Sequence, residues 1–333
     1  MSKKYDVYAI GNALVDMEYE VHDQFFQKYN IEKGLMTLVD EARQNELLFA
    51  LGDHQRKKQQ SGGSAANTII AVAQFGGKSF YSCKVASDAT GDFYYKDLID
   101  NGVDTNLQNG PRPIGTTGKC LVLITPDAER TMNTYLGITS TLSVAEVNSS
   151  AIRDSKMMYM EGYLVASPTG KEAAIEARKV AEAAGVQTAL TFSDVNMVKY
   201  FREGLLEMIG NGVDLLFCNE SEALAFTGKD DIGVAREELK KYAKNFVITL
   251  GENGAVIFDG DTFIDIEPYP VDAVDTNGAG DMYAGAFMYA LAHGHTFASA
   301  GKLASMASSR VVGQFGPRLK WHETQEIKKQ VFG

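Results

Sequence analysis

The rhythm of apolar positions changes about halfway along this chain. In the first half, Tyr5-Asp6-Val7-Tyr8-Ala9-Ile10 is rich in aromatic and β-branched residues and stops at Gly11-Asn12, which predicts a first strand. Val15 to Val21 alternates around Met17, Tyr19 and Val21, and Leu35 to Val39 is another short apolar run. Neither is long enough for a helix face, so both read as strands of a small accessory sheet. Helical spacing follows in Asp40 to Leu51, through Ala42, Leu47, Leu48 and Leu51. The charged stretch Asp53 to Gln60 predicts a solvated loop. Helices are predicted over Ala65 to Phe75 and Phe93 to Asn101, the second closed by Gly102, with a strand over Phe80 to Val85. Thr116 to Thr125 and Arg130 to Tyr135 are β-patterned and joined by Pro126-Asp127-Ala128-Glu129, a hairpin signal. With the earlier pair they predict a lid of four or five strands, built from about 15–40 and 104–137.

From residue 151 onward, strands and helices alternate. Met157-Met158-Tyr159-Met160 is a buried-strand run ending at Glu161-Gly162-Tyr163, Pro168 to Ala184 is helical, and Gln187 to Phe192 is the next strand. Leu215 to Phe217 and Phe246 to Leu250 continue the series, Ala255 to Phe258 adds a further strand, and Phe297 to Val312 is a helix rich in Ala and Ser. Repeated βα units imply a parallel sheet covered on both faces, within one domain spanning 1–333.

Composition narrows the function. With 32 Lys+Arg against 43 Asp+Glu, the net charge is −11 and no basic block occurs, which argues against a nucleic-acid or anionic-membrane surface. The partner expected is a small molecule. Cys83, Cys120 and Cys218 are scattered and odd in number, so neither a disulfide framework nor a zinc site is indicated and a reducing cytoplasm fits. No apolar stretch has the length of a membrane span, and no cleavable leader is apparent. A monomer or homodimer is expected.

The chemistry concentrates in Asp275-Thr276-Asn277-Gly278-Ala279-Gly280-Asp281, which precedes the small, apolar run Met282 to Leu291. Three small residues at a helix start let backbone N–H groups converge on an anion. A carboxylate there would repel a resident phosphate but can take a proton from a hydroxyl attacking one. The stretch reads as phosphoryl transfer, against the plainer reading of a helix cap after a glycine turn. DTNGAGD resembles the DTxGAGD signature of the ribokinase (PfkB) superfamily. That resemblance implies Asp281 as catalytic base and Gly278, Ala279 and Gly280 as anion hole.

Other segments match the superfamily in order. Gly11-Asn12-Ala13-Leu14-Val15-Asp16 resembles its GNxxxD segment, which implies that Asp16, with Asn12, binds substrate hydroxyls; turn chemistry is the alternative for Asn12. Gly62, Gly63 and Asn67 resemble its GG-x-x-x-N substrate signature. Asn219-Glu220-Ser221-Glu222 resembles NxxE, implying that Asn219 and Glu222 reach Mg²⁺ through water, although N-x-x-E is also a helix-capping pattern. Thr249, Gly251 and Gly254 resemble the T-x-G-x-x-G nucleotide loop, laid over what is geometrically a hairpin. Arg130 on the lid hairpin resembles the lid arginine of adenosine kinases, and its fork suits phosphate oxygens. In the superfamily, carbonyls at the start of DTxGAGD, here Asp275 and Asn277, can join a K⁺ site.

The resemblance spans the chain and implies a ribokinase-like three-layer α/β/α core with a mainly parallel sheet and a small β-sheet lid. It also implies ATP and Mg²⁺ as cofactors. GNALVD and the lid segment Gly118-Lys119-Cys120 look most like adenosine kinases, with Tyr163 and Met197 as apolar walls for a purine. Sugar kinases often carry D-x-N-x-R where this chain has Asp194-Val195-Asn196-Met197-Val198, lacking the arginine. A departure the other way is Leu35-Met36-Thr37, where adenosine kinases commonly have a glutamine. The expected reaction is phosphorylation of the 5′-hydroxyl of a purine nucleoside such as adenosine, with a ribose or fructose kinase as alternative.

Overall fold

The computed structural model describes residues 3–34, 36–52, 56–126 and 129–333, with the main chain alone at 56–58. Leu35 of the predicted lid strand and Asp127-Ala128 of the predicted hairpin tip lie outside the described residues. In the first half the strands are β1 Tyr5–Ile10, β2 Leu14–Glu20, β3 Met36–Leu38, β4 Arg56–Gly62, β5 Ser79–Ser82, β6 Val103–Thr105, β7 Thr117–Ile124 and β8 Arg130–Gly137. The second half adds β9 Ser155–Glu161, β10 Gln187–Thr191, β11 Val213–Asn219, β12 Ala243–Thr249, β13 Ala255–Phe258 and β14 Phe263–Ile266.

Among the described residues, one sheet has the order β14-β13-β12-β11-β10-β9-β1-β5-β6. It is parallel from β12 to β6, with β13 and β14 added antiparallel at one edge. Side chains alternate between two cores. Val7, Ala9, Met157 and Tyr159 pack on the side of helices Ser64–Gln74, Ala279–Ala292 and Phe297–Val312. Tyr8, Ile10, Met158 and Met160 pack on the side of helices Pro168–Ala183 and Val195–Ile209. Burial on both faces explains why these strands read as unbroken apolar runs. Each large apolar side chain so enclosed contributes roughly 1.5–3 kcal/mol. Gly285 sets the spacing of two site-bearing helices, because a Cβ there would lie 2.5 Å from the Thr68 carbonyl.

A second sheet, ordered β3-β8-β7-β2-β4, forms the lid. Its β4 corrects the predicted loop at residues 56–60, while residues 53–55 of that loop lie outside the described residues. The strand pairs antiparallel with β2, from Leu14 opposite Gly62 to Tyr19 opposite Arg56. Its sequence, RKKQQSG, has no apolar alternation because an edge strand is held by main-chain pairing. Val103–Thr105, directly after the predicted helix cap at Gly102, is a further strand of the large sheet beside β5. Among the helices that went unpredicted are Asp23–Tyr29, which buries Phe25 and Phe26, Ser149–Arg153, and Trp321–Phe332, which buries Ile327.

Candidate active site

From β1 the chain steps to β5 and β6 on one side and later fills β9 to β12 on the other, so the sheet has its switch point between β1 and β9. Ligands of open α/β sheets bind beyond the strand ends at such a point. Here a cavity of about 1020 Å³ lies between those ends and the lid, near the upper limit for a single ligand pocket (about 300–1,000 Å³). Its floor is tied by Glu161, fully buried at the end of β9. This carboxylate accepts from the Asn12 N–H at 2.7 Å, Asn12 Nδ2 at 2.8 Å and the Ala65 N–H at 2.8 Å. Burial pushes Glu161 up to about 7 against the pull of those donors. Sequence reasoning passed over its role, although an acid closing the run Met157 to Met160 was a visible signal.

Asp281 sits in the first turn of helix Ala279–Ala292, whose first i→i−4 bond runs from the Met282 N–H to the Gly278 carbonyl. The amides of Gly280 and Asp281 precede that bond at the positive end of the helix, among the cavity-lining residues Gly278 to Asp281. Gly278 holds the turn at φ +74°, and a Cβ on it would strike Pro317. A Cβ on Gly280 would meet nothing within 4 Å, so this backbone is open to a ligand. Asp281 Oδ1 accepts from Ser64 Oγ at 2.6 Å and Oδ2 from Asn67 Nδ2 at 3.2 Å. Burial pushes its carboxyl up to about 6; the Ser64 and Asn67 hydrogen bonds and Arg318 oppose that rise.

Asn67 and Ser64 reach Asp281 because helix Ser64–Gln74 starts at Gly63, whose φ of +99° and Cβ position 2.2 Å from the Asn12 carbonyl oxygen exclude any side chain. Asp16 projects into the same end of the cavity from β2. Burial pushes it up to about 7, Glu18 and Asp281 add to the rise, and Arg318 and Arg130 oppose it. Gly62 does not line the cavity. It makes room for Asp16, since a Cβ on Gly62 would lie 2.3 Å from that carboxylate. Around Asp16 the lid face is apolar, with Leu14, Met36, Leu38, Val122, Met132 and Leu136 beside Cys120 and Thr134.

The other end of the cavity is lined by Thr249, Gly251 and Gly254 after β12, by Pro268 to Val271, and by Ser305, Ser308 and Ser309. Gly251 has φ +60° and open space beside its Cα. Between the two ends stand Tyr163, Met197, Asp194, Asn219 and Glu222. Asn219 and Glu222 form a reciprocal capping box, with the Asn219 N–H and Nδ2 donating to the Glu222 carboxylate at 3.0 Å each. The capping reading of NxxE is thus realised, and the same carboxylate faces the cavity. Burial raises Glu222 to about 7 and the charge of Asp194 adds to that. Among the described residues no group of three or more metal-ligating side chains occurs. A few oxygens lining a cavity that can also hold phosphates are the donor set that suits Mg²⁺, which keeps most of its waters.

Arg130 does not line the cavity. Its guanidinium is buried against Asp275 at 2.7 Å and Glu18 at 3.8 Å, with the Phe315 ring 5.9 Å away. Asp275 also accepts from the Asn277 N–H at 3.0 Å and the Gly316 N–H at 2.8 Å, so its side chain fixes the loop that leads to Gly278. Asn277 lines the cavity, whereas Asp275 does not.

Comparison with known proteins bears on this geometry. A profile of the pfkB family carbohydrate kinases matches residues 44–324. The crystal structure of adenosine kinase from Sinorhizobium meliloti is 36% identical with a TM-score of 0.88, covering 97% of this chain and 99% of that one. A probable sugar kinase protein from Rhizobium etli CFN 42 is 35% identical with a TM-score of 0.89, covering 98% of each chain. The adenosine kinase of Saccharomyces cerevisiae is 26% identical over 330 residues, 92% of this chain and 95% of that protein. The chain belongs to the pfkB family of carbohydrate kinases and is an ATP-dependent kinase with a hydroxyl group as acceptor.

Proposed function

We propose that the acceptor is a purine nucleoside, adenosine first among them, phosphorylated on its 5′-hydroxyl. The observation that carries this is the lid face, where Asp16 is the one carboxylate among Leu14, Met36, Leu38, Val122, Met132 and Leu136. A purine offers a wide apolar face that thioether and aliphatic side chains can cover, while Asp16 and Asn67 hold the ribose hydroxyls. A free sugar would leave that face uncovered, and its remaining hydroxyls would lose water without replacement. Likeness to the Sinorhizobium meliloti adenosine kinase supports the same reading.

In this reading Asp281 accepts the proton of the attacking hydroxyl as its oxygen bonds to the γ-phosphorus of ATP and the bond from that phosphorus to the departing ADP breaks. The first-turn amides of Gly280 and Asp281, with Gly278 and Ala279 shaping the turn, stabilise the charge on the transferring group. Thr249, Gly251 and Gly254 bind the nucleotide. Asn219 and Glu222 would hold Mg²⁺ through water, and that ion neutralises phosphate charge when bound. Arg130 orients the Asp275 loop. A monovalent cation there would be held by main-chain carbonyls of Asp275 and Asn277, because the Asp275 carboxylate is already engaged. The test compares kcat/KM for adenosine, inosine and guanosine with ribose and fructose under the same Mg-ATP conditions. We expect a nucleoside to lead; a sugar ahead by about tenfold, a 1.4 kcal/mol preference, overturns the proposal.

A further inference from the structure

We propose that Arg318 is a positioning residue for Asp281, turning the Asn67 amide toward that carboxylate and setting a positive charge one side chain away. The proposal rests on Asp281 being the base. Arg318 follows Gly316-Pro317 in the C-terminal segment, far in sequence from every motif above. Its side chain is 9% exposed and every arm of the fork is used. Nε donates to Asn67 Oδ1 at 3.1 Å, Nη1 to Asp97 Oδ2 at 2.8 Å, and Nη2 to the Ser61 carbonyl and to Ser61 Oγ at 3.0 Å.

An arginine has donors only, so it can engage Asn67 through the amide oxygen alone. That leaves Nδ2 to face Asp281, where it donates at 3.2 Å. Without Arg318 the amide is free to flip and present its oxygen to the carboxylate. The ionisable groups around Asp281 are Asp16 from β2, Tyr159 and Glu161 from β9, Tyr163 after β9, and Arg318. Arg318 is the cation acting on Asp281, and it holds both Asp281 and Asp16 toward the ionised form, whereas Arg130 and Glu18 act, with opposite signs, on Asp16. A base must be ionised to act, so activity falls as pH drops through the value of this coupled pair. Removing the charge should move that fall to higher pH.

The test is kcat/KM against pH, between about pH 5 and 9, for the acceptor that leads the comparison above. For Arg318→Met we expect the acid limb to move up by about one pH unit, an about tenfold loss on the acid side, with recovery at alkaline pH. Arg318→Lys, which keeps the charge, should hold the limb within a few tenths of a unit of wild type. Should Arg318→Met not reach the folded state by circular dichroism, Arg318→Gln supplies a neutral donor and the same readout. A limb unmoved in the neutral variant, or moved as far in Arg318→Lys, overturns the proposal. Asp281→Asn, run alongside, separates the two ideas. If it is inactive while the limb stays put, only the Arg318 role fails; if it turns over near normally, the base assignment fails first.

Discussion

Replacing Asp16 by Asn should make this protein more stable at alkaline pH and useless for binding its acceptor. Asp16 is buried in the lid beside Glu18 and near Asp281, and its carboxyl lies at about 7 in the folded chain against 3.8 ordinarily. A carboxyl raised on folding binds more protons in the native state than in the unfolded one between those two values, so stability falls as pH rises through them. Below about pH 4 the residue costs nothing by this route; above about pH 7 the cost is complete, and at 1.36 kcal/mol per tenfold it reaches about 4 kcal/mol at most. Asparagine is nearly isosteric and carries no charge, so it removes that cost. At about 2–4 °C per kcal/mol for a large domain, melting at pH 8 should rise by up to roughly 8–16 °C while melting at pH 4 stays within a degree or two. Thermal unfolding of both proteins across that pH range measures the difference, and calorimetric titration with the acceptor that leads the kinetic comparison measures the lost function. A variant that melts at or below wild type at pH 8 would refute the argument, because the buried charge would then be compensated in full.

Two further substitutions test the role proposed for the loop at the start of helix Ala279–Ala292. Asp281→Asn should lower kcat by about 10²–10⁴-fold with little change in acceptor affinity, and single-turnover kinetics with a binding titration will tell whether both halves hold. Gly280→Ala should leave the fold intact, since its Cβ meets nothing within 4 Å and alanine suits a helix start. The added methyl would stand where the transferring phosphate must approach, so turnover should fall at least about tenfold; unchanged turnover would remove this amide from the anion hole.

How far the sequence reveals such a site depends on which contacts are local. Periodicity exposed the strands around β1 and β9 because both faces are buried, and the runs Tyr5–Ile10, Ala255–Phe258 and Phe297–Val312 ended where predicted. It missed β4, because an edge strand of lysines and glutamines is specified by main-chain pairing with β2 and leaves no apolar rhythm. The same division holds within the site. Gly278, Gly280 and Asp281 were legible together because one helix start positions all three. Glu161, Asp97 and Arg318 were not, because their meaning lies in partners distant in sequence: Asn12 and Ala65 for Glu161, and Asn67 and Ser61 for Arg318. Arg130 illustrates the opposite failure. Its side chain looked free for phosphate on the hairpin, yet the fold closes it on Asp275, the first residue of the DTNGAGD loop. A lid arginine and the first aspartate of DTNGAGD therefore form one contact between lid and core. That contact ties the lid hairpin to the loop that leads to Asp281.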